Sequence, residues 1–349
     1  MDMKNIIKQS VINMFKINMG LRPGDRVLIV NDYPEKDHWI NYGVSQLEDI
    51  VKRSLLAKLV FEIASEEFRD NEVRFLTYPL TGRHGAEPPT YVEDEMSKYS
   101  IIIAITTYSL THTNARRKAT QSGARIASMP GFTADMFFPE GPMSADYIWI
   151  SNLSKKLIDF LKDSRHIKIL TDSGTNIEFS VEGRSWGIDD GLYDKPGAWG
   201  NLPAGEIYVA PIEGTANGRI VVEPGWYPRL TETMILHVEN GLVTKIIGGG
   251  EIGDYFRRIL GLEPEINDEL HRRRRNIAEF GIGTNPKAKK PDNVLEAEKI
   301  YGTIHIAIGN NIHLGGKIEA DLHEDFVIPK PTVYVDGKLF IERGIHLIH

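Results

Sequence analysis

The sequence predicts a two-domain α/β protein, with a doubly wound parallel sheet over residues 1–163 and a mainly antiparallel α+β domain over residues 164–349. Three observations predict it. In the first half, continuously apolar runs such as VLIV and IIIAI alternate with stretches of helical periodicity, which is how a parallel sheet covered on both faces reads. From about residue 165 the texture changes to short β-type runs separated by Gly, Asn, Asp and Pro. A length of 349 residues also exceeds one typical domain.

The elements follow in order. Residues 1–20 place Ile6, Ile7, Val11, Ile12, Phe15 and Ile17 at spacings that suit an amphipathic helix. RPGDRVLIVND is a turn leading into a buried strand, and residues 43–68 again suit a helix. EVRFLTYP and IIIAITTYS read as strands, TNARRKATQSGA as a helix and RIASMPG as a short strand. The second half contributes RHIKILTDSGTNIEFSVEG, GRIVVEPG, TMILHVENGLVTKIIGGG, GTIHIAIGNN and TVYVDGKLFIERG, all β in character. The Asn-Gly of ENGL and the Asp-Gly of VDGK tolerate the positive φ of tight hairpin turns. One helix, roughly 251–262, interrupts the strands. GGGEIG lacks both the Lys-Ser/Thr of a P-loop and the spacing of a dinucleotide fingerprint, so it reads as the start of that helix, with Glu251 near its N-terminus. HRRRR, residues 271–275, follows Glu263, Glu265, Asp268 and Glu269 and reads as a solvated, ion-paired face.

Composition narrows the function. A net charge of −7, from 41 basic against 48 acidic residues, offers no general attraction to nucleic acid or to an anionic membrane surface. The chain has no cysteine, which removes disulfides, thiolate metal sites and cysteine nucleophiles. The N-terminal stretch mixes Lys, Asp and Asn through its apolar residues, unlike a signal peptide, and no run approaches the roughly 20 apolar residues of a membrane span. The expectation is a cytoplasmic protein with no nucleic-acid or membrane partner.

Any metal would therefore be held by His, Asp and Glu. Glu206 in NLPAGEIYVAP, Glu279 in NIAEFGIGTNP and His305 in GTIHIAIGNN are titratable groups set among apolar residues. A charge in such a setting costs several kcal/mol unless it is paired or coordinated. In LHEDF, His323 and Asp325 share one face of an extended segment while Glu324 points away. Each residue alone reads equally well as a hydrogen-bonded or water-facing strand position. Together, three carboxylates and two imidazoles form a ligand mixture suited to zinc, cobalt, manganese or iron(II). In the first domain, TTYSLTHTNARRKAT sets His112 between an apolar strand and a helix, where open α/β sheets bind ligands. The competing reading is that Thr111, Thr113 and Asn114 cap the helix and His112 is incidental. Trp186, Tyr193 and Trp199 lie on an irregular loop before the Glu206 motif and either line a substrate pocket or pack a core.

In this order, and most specifically over about 200–326, the motifs NLPAGEIYVAP, AEFGIGTNP, GTIHIAIGNN and HEDF resemble the metal-binding motifs of the aminopeptidase T family of metallopeptidases. The resemblance implies a homodimer with a dinuclear metal centre on Glu206, Glu279, His305, His323 and Asp325, acting on short peptides. Two metals sharing a carboxylate would polarise the scissile carbonyl and lower the pKa of a shared water. Sequence leaves open which Glu bridges; the expectation is Glu279, whose motif is the richer in glycine. One departure stands out: the family's active-site Tyr, seven residues after the third ligand, is Ile312 here, beside His313. A second resemblance, through EFGIGTNPKAK and YGTIHIAIGNNIHLGGK, is to the 2,5-dihydroxypyridine dioxygenases. It implies a single iron(II) held by two His and one carboxylate, with the first His falling on Glu279, and an acid–base His matching His112. Because the chain keeps all five candidate ligands, the expectation is a metal-dependent, aminopeptidase-like hydrolase using zinc, cobalt or manganese. Glu279 and His112 are its candidate catalytic residues, and Trp199 and His313 its candidate contacts to a small-molecule or short-peptide substrate. The alternative is an iron(II) ring-cleaving dioxygenase.

Overall fold

The computed structural model describes residues 2–347. The chain divides into two compact units: one runs to Ile148 and takes back Gly191–Ala204, and the other comprises Trp149–Asp190 and the chain from Gly205 onward. No helix among the described residues is long and apolar enough to cross a membrane.

The first unit is built on a five-stranded parallel sheet. Its order is Glu72–Pro79, Arg26–Tyr33, Ile101–Ala104, Arg125–Ser128 and Trp199–Asn201. The apolar runs became its central strands because every residue of Ile101–Ala104 and Arg125–Ser128 is buried. Helices Val44–Glu67, Thr90–Met96 and Asn114–Gln121 connect or flank them, as the right-handed crossovers of parallel strands require. At the C-terminal end of Arg26–Tyr33, the buried Asp32 carboxylate accepts hydrogen bonds from the backbone N–H of Thr107 at 2.7 Å and of Tyr108 at 3.1 Å. The predicted first helix ends at Asn13 and continues as a π-helical turn, Met14–Asn18.

The second unit carries two antiparallel sheets. The larger has eight strands, and both predicted hairpins lie in it: Asn240 and Gly241 have φ of 49° and 77°, and Asp336 and Gly337 of 49° and 79°. The smaller is ordered His323–Pro329, Thr303–Gly309, Ile277–Gly283, Glu206–Val209 and Gly187–Asp189. One buried apolar cluster includes Ile167, Phe179 and Ile220 from the larger sheet and Phe280, Ile306 and Phe326 from the smaller. The helix after the glycine run is Gly250–Ile259, with Glu251 in its first turn. Helix Glu269–Arg274 presents the arginine run: Arg273 pairs with Glu269 at 2.9 Å, Arg274 pairs with Asp321 at 2.6 Å, and Arg275 donates to the carbonyls of Leu260 and Ile266. Helix Tyr147–Leu161 and strand Gly187–Asp189 lie outside the elements read from sequence.

Candidate metal centre

The smaller sheet of the second unit sorts its residues by the two-residue period of a strand. Ile207, Val209, Phe280, Ile282, Ile304, Ile306, Phe326 and Ile328 all join the apolar cluster. The alternate positions therefore fall on the opposite face, and these are Glu206, Glu279, His305, His323 and Asp325. Register gathers them, because Glu279 and Asp325 both pair with Ala307 and His305 pairs with Gly281. The small residues keep that face low: a Cβ at Gly281 would sit 2.0 Å from the His305 ring. Glycine is thus what lets the imidazole lie across the strand beside it.

Glu279, His323 and Asp325 each offer one ligand atom, and these three atoms lie within 4.8 Å of one another. His323 Nε2 is 3.1 Å from Glu279 Oε2 and 3.6 Å from Asp325 Oδ2. Its other ring nitrogen, Nδ1, lies 2.7 Å from the Asn310 carbonyl oxygen. Donation to that carbonyl keeps a proton on Nδ1 and turns Nε2 toward the carboxylates, where it carries a proton without a metal and would offer its lone pair to one, the outer hydrogen bond that orients a metal-bound histidine. Glu324 points away, as the i, i+2 pattern predicts, and accepts a hydrogen bond from Tyr227 at 3.0 Å.

The electrostatics follow from crowding carboxylates in a dry place. Burial alone would lower the His323 imidazole, but Asp325 and Glu279 outweigh it and push it up to about 10. His305, likewise opposed by burial, is pushed up to about 9 by Glu279 and Glu206. Burial works to raise Glu279 as well, yet hydrogen bonds with His305 and His323 hold it well below the usual carboxylate range. Burial and the nearby Glu298 push Asp325 well above that range. Each imidazole gains a proton to answer a surplus of negative charge, and a divalent cation answers the same surplus. Asp325 Oδ1, Glu206 Oε2 and His305 Nδ1 are buried without a hydrogen-bond partner, a cost of about 1–3 kcal/mol for each such group. Hard oxygen donors beside a borderline imidazole, with an unbonded buried carboxylate oxygen among them, fit a divalent metal.

The remaining sequence candidates take different places. His305 Nε2 is 3.5 Å from both Glu206 Oε2 and Glu279 Oε1. Glu206 is also gripped by Lys299, whose Nζ lies 2.5 Å from Glu206 Oε1 and 3.0 Å from Glu298 Oε2 with only 3% of its side chain exposed. Burial pushes Glu206 up to about 7, against the pull of Lys299 and His305. His313, in the short helical turn Ile312–Leu314, has its ring centroid 5.5 Å from that of His323. His112 belongs to the first unit, exposed in the turn before helix Asn114–Gln121, whose cap is Thr113. Trp199, also in the first unit, lies under the Arg116 guanidinium at 3.9 Å. Sequence reasoning missed Lys299, because a lysine in LEAEKIYG carries no mark that distinguishes it from a solvated one.

The model of the NicX family, described as 2,5-dihydroxypyridine 5,6-dioxygenase, matches residues 11–347. A 2,5-dihydroxypyridine 5,6-dioxygenase of Pseudomonas putida is 25% identical over 200 residues, which is 53% of this chain and 55% of that protein. The match thus spans about half the length of the relative. Among solved structures, the 2,5-dihydroxypyridine dioxygenase of Pseudomonas putida KT2440 superposes with a TM-score of 0.72 at 16% identity, over 99% of this chain and 98% of that one. Wild-type AmpT from Thermus thermophilus superposes with a TM-score of 0.64 at 14% identity, over 99% of this chain and 100% of that one. At such identities the two structures show a shared fold. The family match overturns the expectation of an aminopeptidase-like hydrolase, and with it the peptidase and protease reading. That expectation rested on counting five possible ligands, and a count of ligands takes no account of the ammonium already bound to one of them.

Proposed function

We propose, for a chain that belongs to the NicX family of 2,5-dihydroxypyridine 5,6-dioxygenases, that it is an iron(II)-dependent dioxygenase opening a small hydroxylated heteroaromatic ring. The observation that carries the reading is the Glu279, His323 and Asp325 triad on the open face of the smaller sheet, in a chain whose family match runs nearly end to end. Iron(II), when bound, supplies a redox-active Lewis acid with positions left for substrate and dioxygen.

The chain's own residues do the rest. Glu279 and Asp325 balance the charge of a divalent ion, and Asn310, through its carbonyl, holds His323 in the tautomer that offers Nε2. One carboxylate more and one imidazole fewer than the usual iron(II) facial triad leaves this donor set harder and more negative. The apolar cluster beneath the sheet keeps these groups on a rigid support. His112 is part of the proposal as an acid–base residue for the ring hydroxyls. In the reaction both atoms of dioxygen enter the product as one ring bond breaks, so no external reductant is consumed.

The test is oxygen uptake by the iron(II)-loaded protein on 2,5-dihydroxypyridine. The expected result is consumption of dioxygen and ring absorbance in equal amounts, lost in His323→Ala. No uptake on this compound or on related dihydroxylated heteroaromatics, by protein that holds iron, overturns the reading.

A further inference from the structure

Glu279 faces two ways. Its Oε2 is 3.1 Å from His323 Nε2, its Oε1 is 3.5 Å from His305 Nε2, and Glu206 Oε2 reaches that same His305 nitrogen at 3.5 Å. One carboxylate shared between two clusters, each with an imidazole and a second carboxylate, is a donor arrangement for two divalent cations. The cluster around Glu206 already holds a cation, because the Lys299 ammonium sits on Glu206 at 2.5 Å and on Glu298 at 3.0 Å.

We propose that Lys299 is a built-in replacement for a second metal ion, so that the centre takes one divalent cation, on Glu279, His323 and Asp325, and none on Glu206 and His305. The inference rests on the reading of that triad as a metal site. Lys299 is held in place by its backbone as well as its side chain: its N–H donates to the Glu296 carbonyl at 3.0 Å and its carbonyl accepts from Asn285 at 2.8 Å. Its charge is therefore a fixed part of the fold. In a water-poor setting a divalent ion beside that ammonium meets strong repulsion. An ammonium cannot do what a second metal does, since it has no open position for substrate and lowers the pKa of no shared water. The same five residues that could have held a pair of metals thus hold one metal and one lysine, and chemistry is confined to the His323 side.

The experiment counts metal on the full chain. Protein stripped of metal is loaded with Co(II), desalted and assayed for cobalt per chain, with affinity from titration calorimetry. Wild type is expected to hold one equivalent, and Glu206→Gln to hold one as well. Lys299→Met, which keeps length and removes charge, is expected to hold two; Lys299→Gln takes its place if that variant does not fold. Two equivalents in wild type, a lower count in Glu206→Gln, or a folded Lys299 variant that stops at one each overturn the proposal. No cobalt in wild type overturns it together with the triad. One equivalent without oxygen uptake by the iron(II) form removes the ring-cleaving reading and leaves this one standing, and two equivalents with uptake do the reverse.

Discussion

At the scale of single residues, the centre depends on side chains that burial would make costly without a cation. His323→Ala and Asp325→Ala each remove a donor from a triad whose atoms lie within 4.8 Å of one another. Because even outer hydrogen-bond partners of metal ligands are worth about 10–100-fold in affinity, loss of a ligand is expected to weaken metal binding by more than about 100-fold in calorimetry, while the protein stays folded. Tyr227→Phe is the counterpart on the other side of the strand. It removes the hydrogen bond to Glu324, at a cost of roughly 1–2 kcal/mol in denaturant unfolding, and leaves metal content unchanged. A drop in metal content there would mean that Glu324, not Asp325, is the carboxylate that matters. The opposite orientation of Glu324 was legible from LHEDF alone, since an extended chain alternates its side chains. The role of Lys299 was not, because its partner Glu206 lies 93 residues away and only the folded chain brings them together.

Among elements, the smaller sheet is the device that makes the site. Strands Ile277–Gly283 and Thr303–Gly309 are buried throughout, so their apolar residues fix one face on the core and leave the other to the titratable groups. Gly281→Ala tests this directly. A Cβ there meets the His305 ring at 2.0 Å, so the imidazole or the strand must shift, with a stability loss of about 1–3 kcal/mol. Unfolding measurements on the metal-free protein check it, and wild-type stability in that variant would show that His305 does not lie where the sheet places it. The strands themselves could be read from sequence because apolar alternation and the Asn-Gly and Asp-Gly turns are local signals. Helix Tyr147–Leu161 could not be read so easily, since Ile148, Trp149 and Phe160 are 52%, 44% and 49% exposed and blur the apolar stripe. The short strand Trp199–Asn201 was hidden for another reason. Three residues including a glycine carry no β pattern of their own, and they join the parallel sheet by pairing with Arg125–Ser128 far earlier in the chain.

For the molecule as a whole, the two units are a parallel α/β layer and an antiparallel pair of sheets, and the fold class followed from the change of texture near residue 165. Residues 191–204 return to the first unit, an excursion that no linker composition announces. The second unit carries the triad, and the first carries His112. If His112 serves acid–base chemistry, His112→Ala lowers turnover by about 10²–10⁴-fold with metal content intact; equal turnover would assign the chemistry to the second unit alone. The fold by itself did not decide the chemistry, because structures of both an AmpT protein and a dihydroxypyridine dioxygenase superpose on it. The fate of dioxygen decides it most directly. Iron(II)-loaded protein is given 2,5-dihydroxypyridine under isotopically labelled dioxygen, and the product is weighed by mass spectrometry. Ring cleavage as proposed puts both labelled atoms into the product; a product that takes its new oxygen only from water would contradict it.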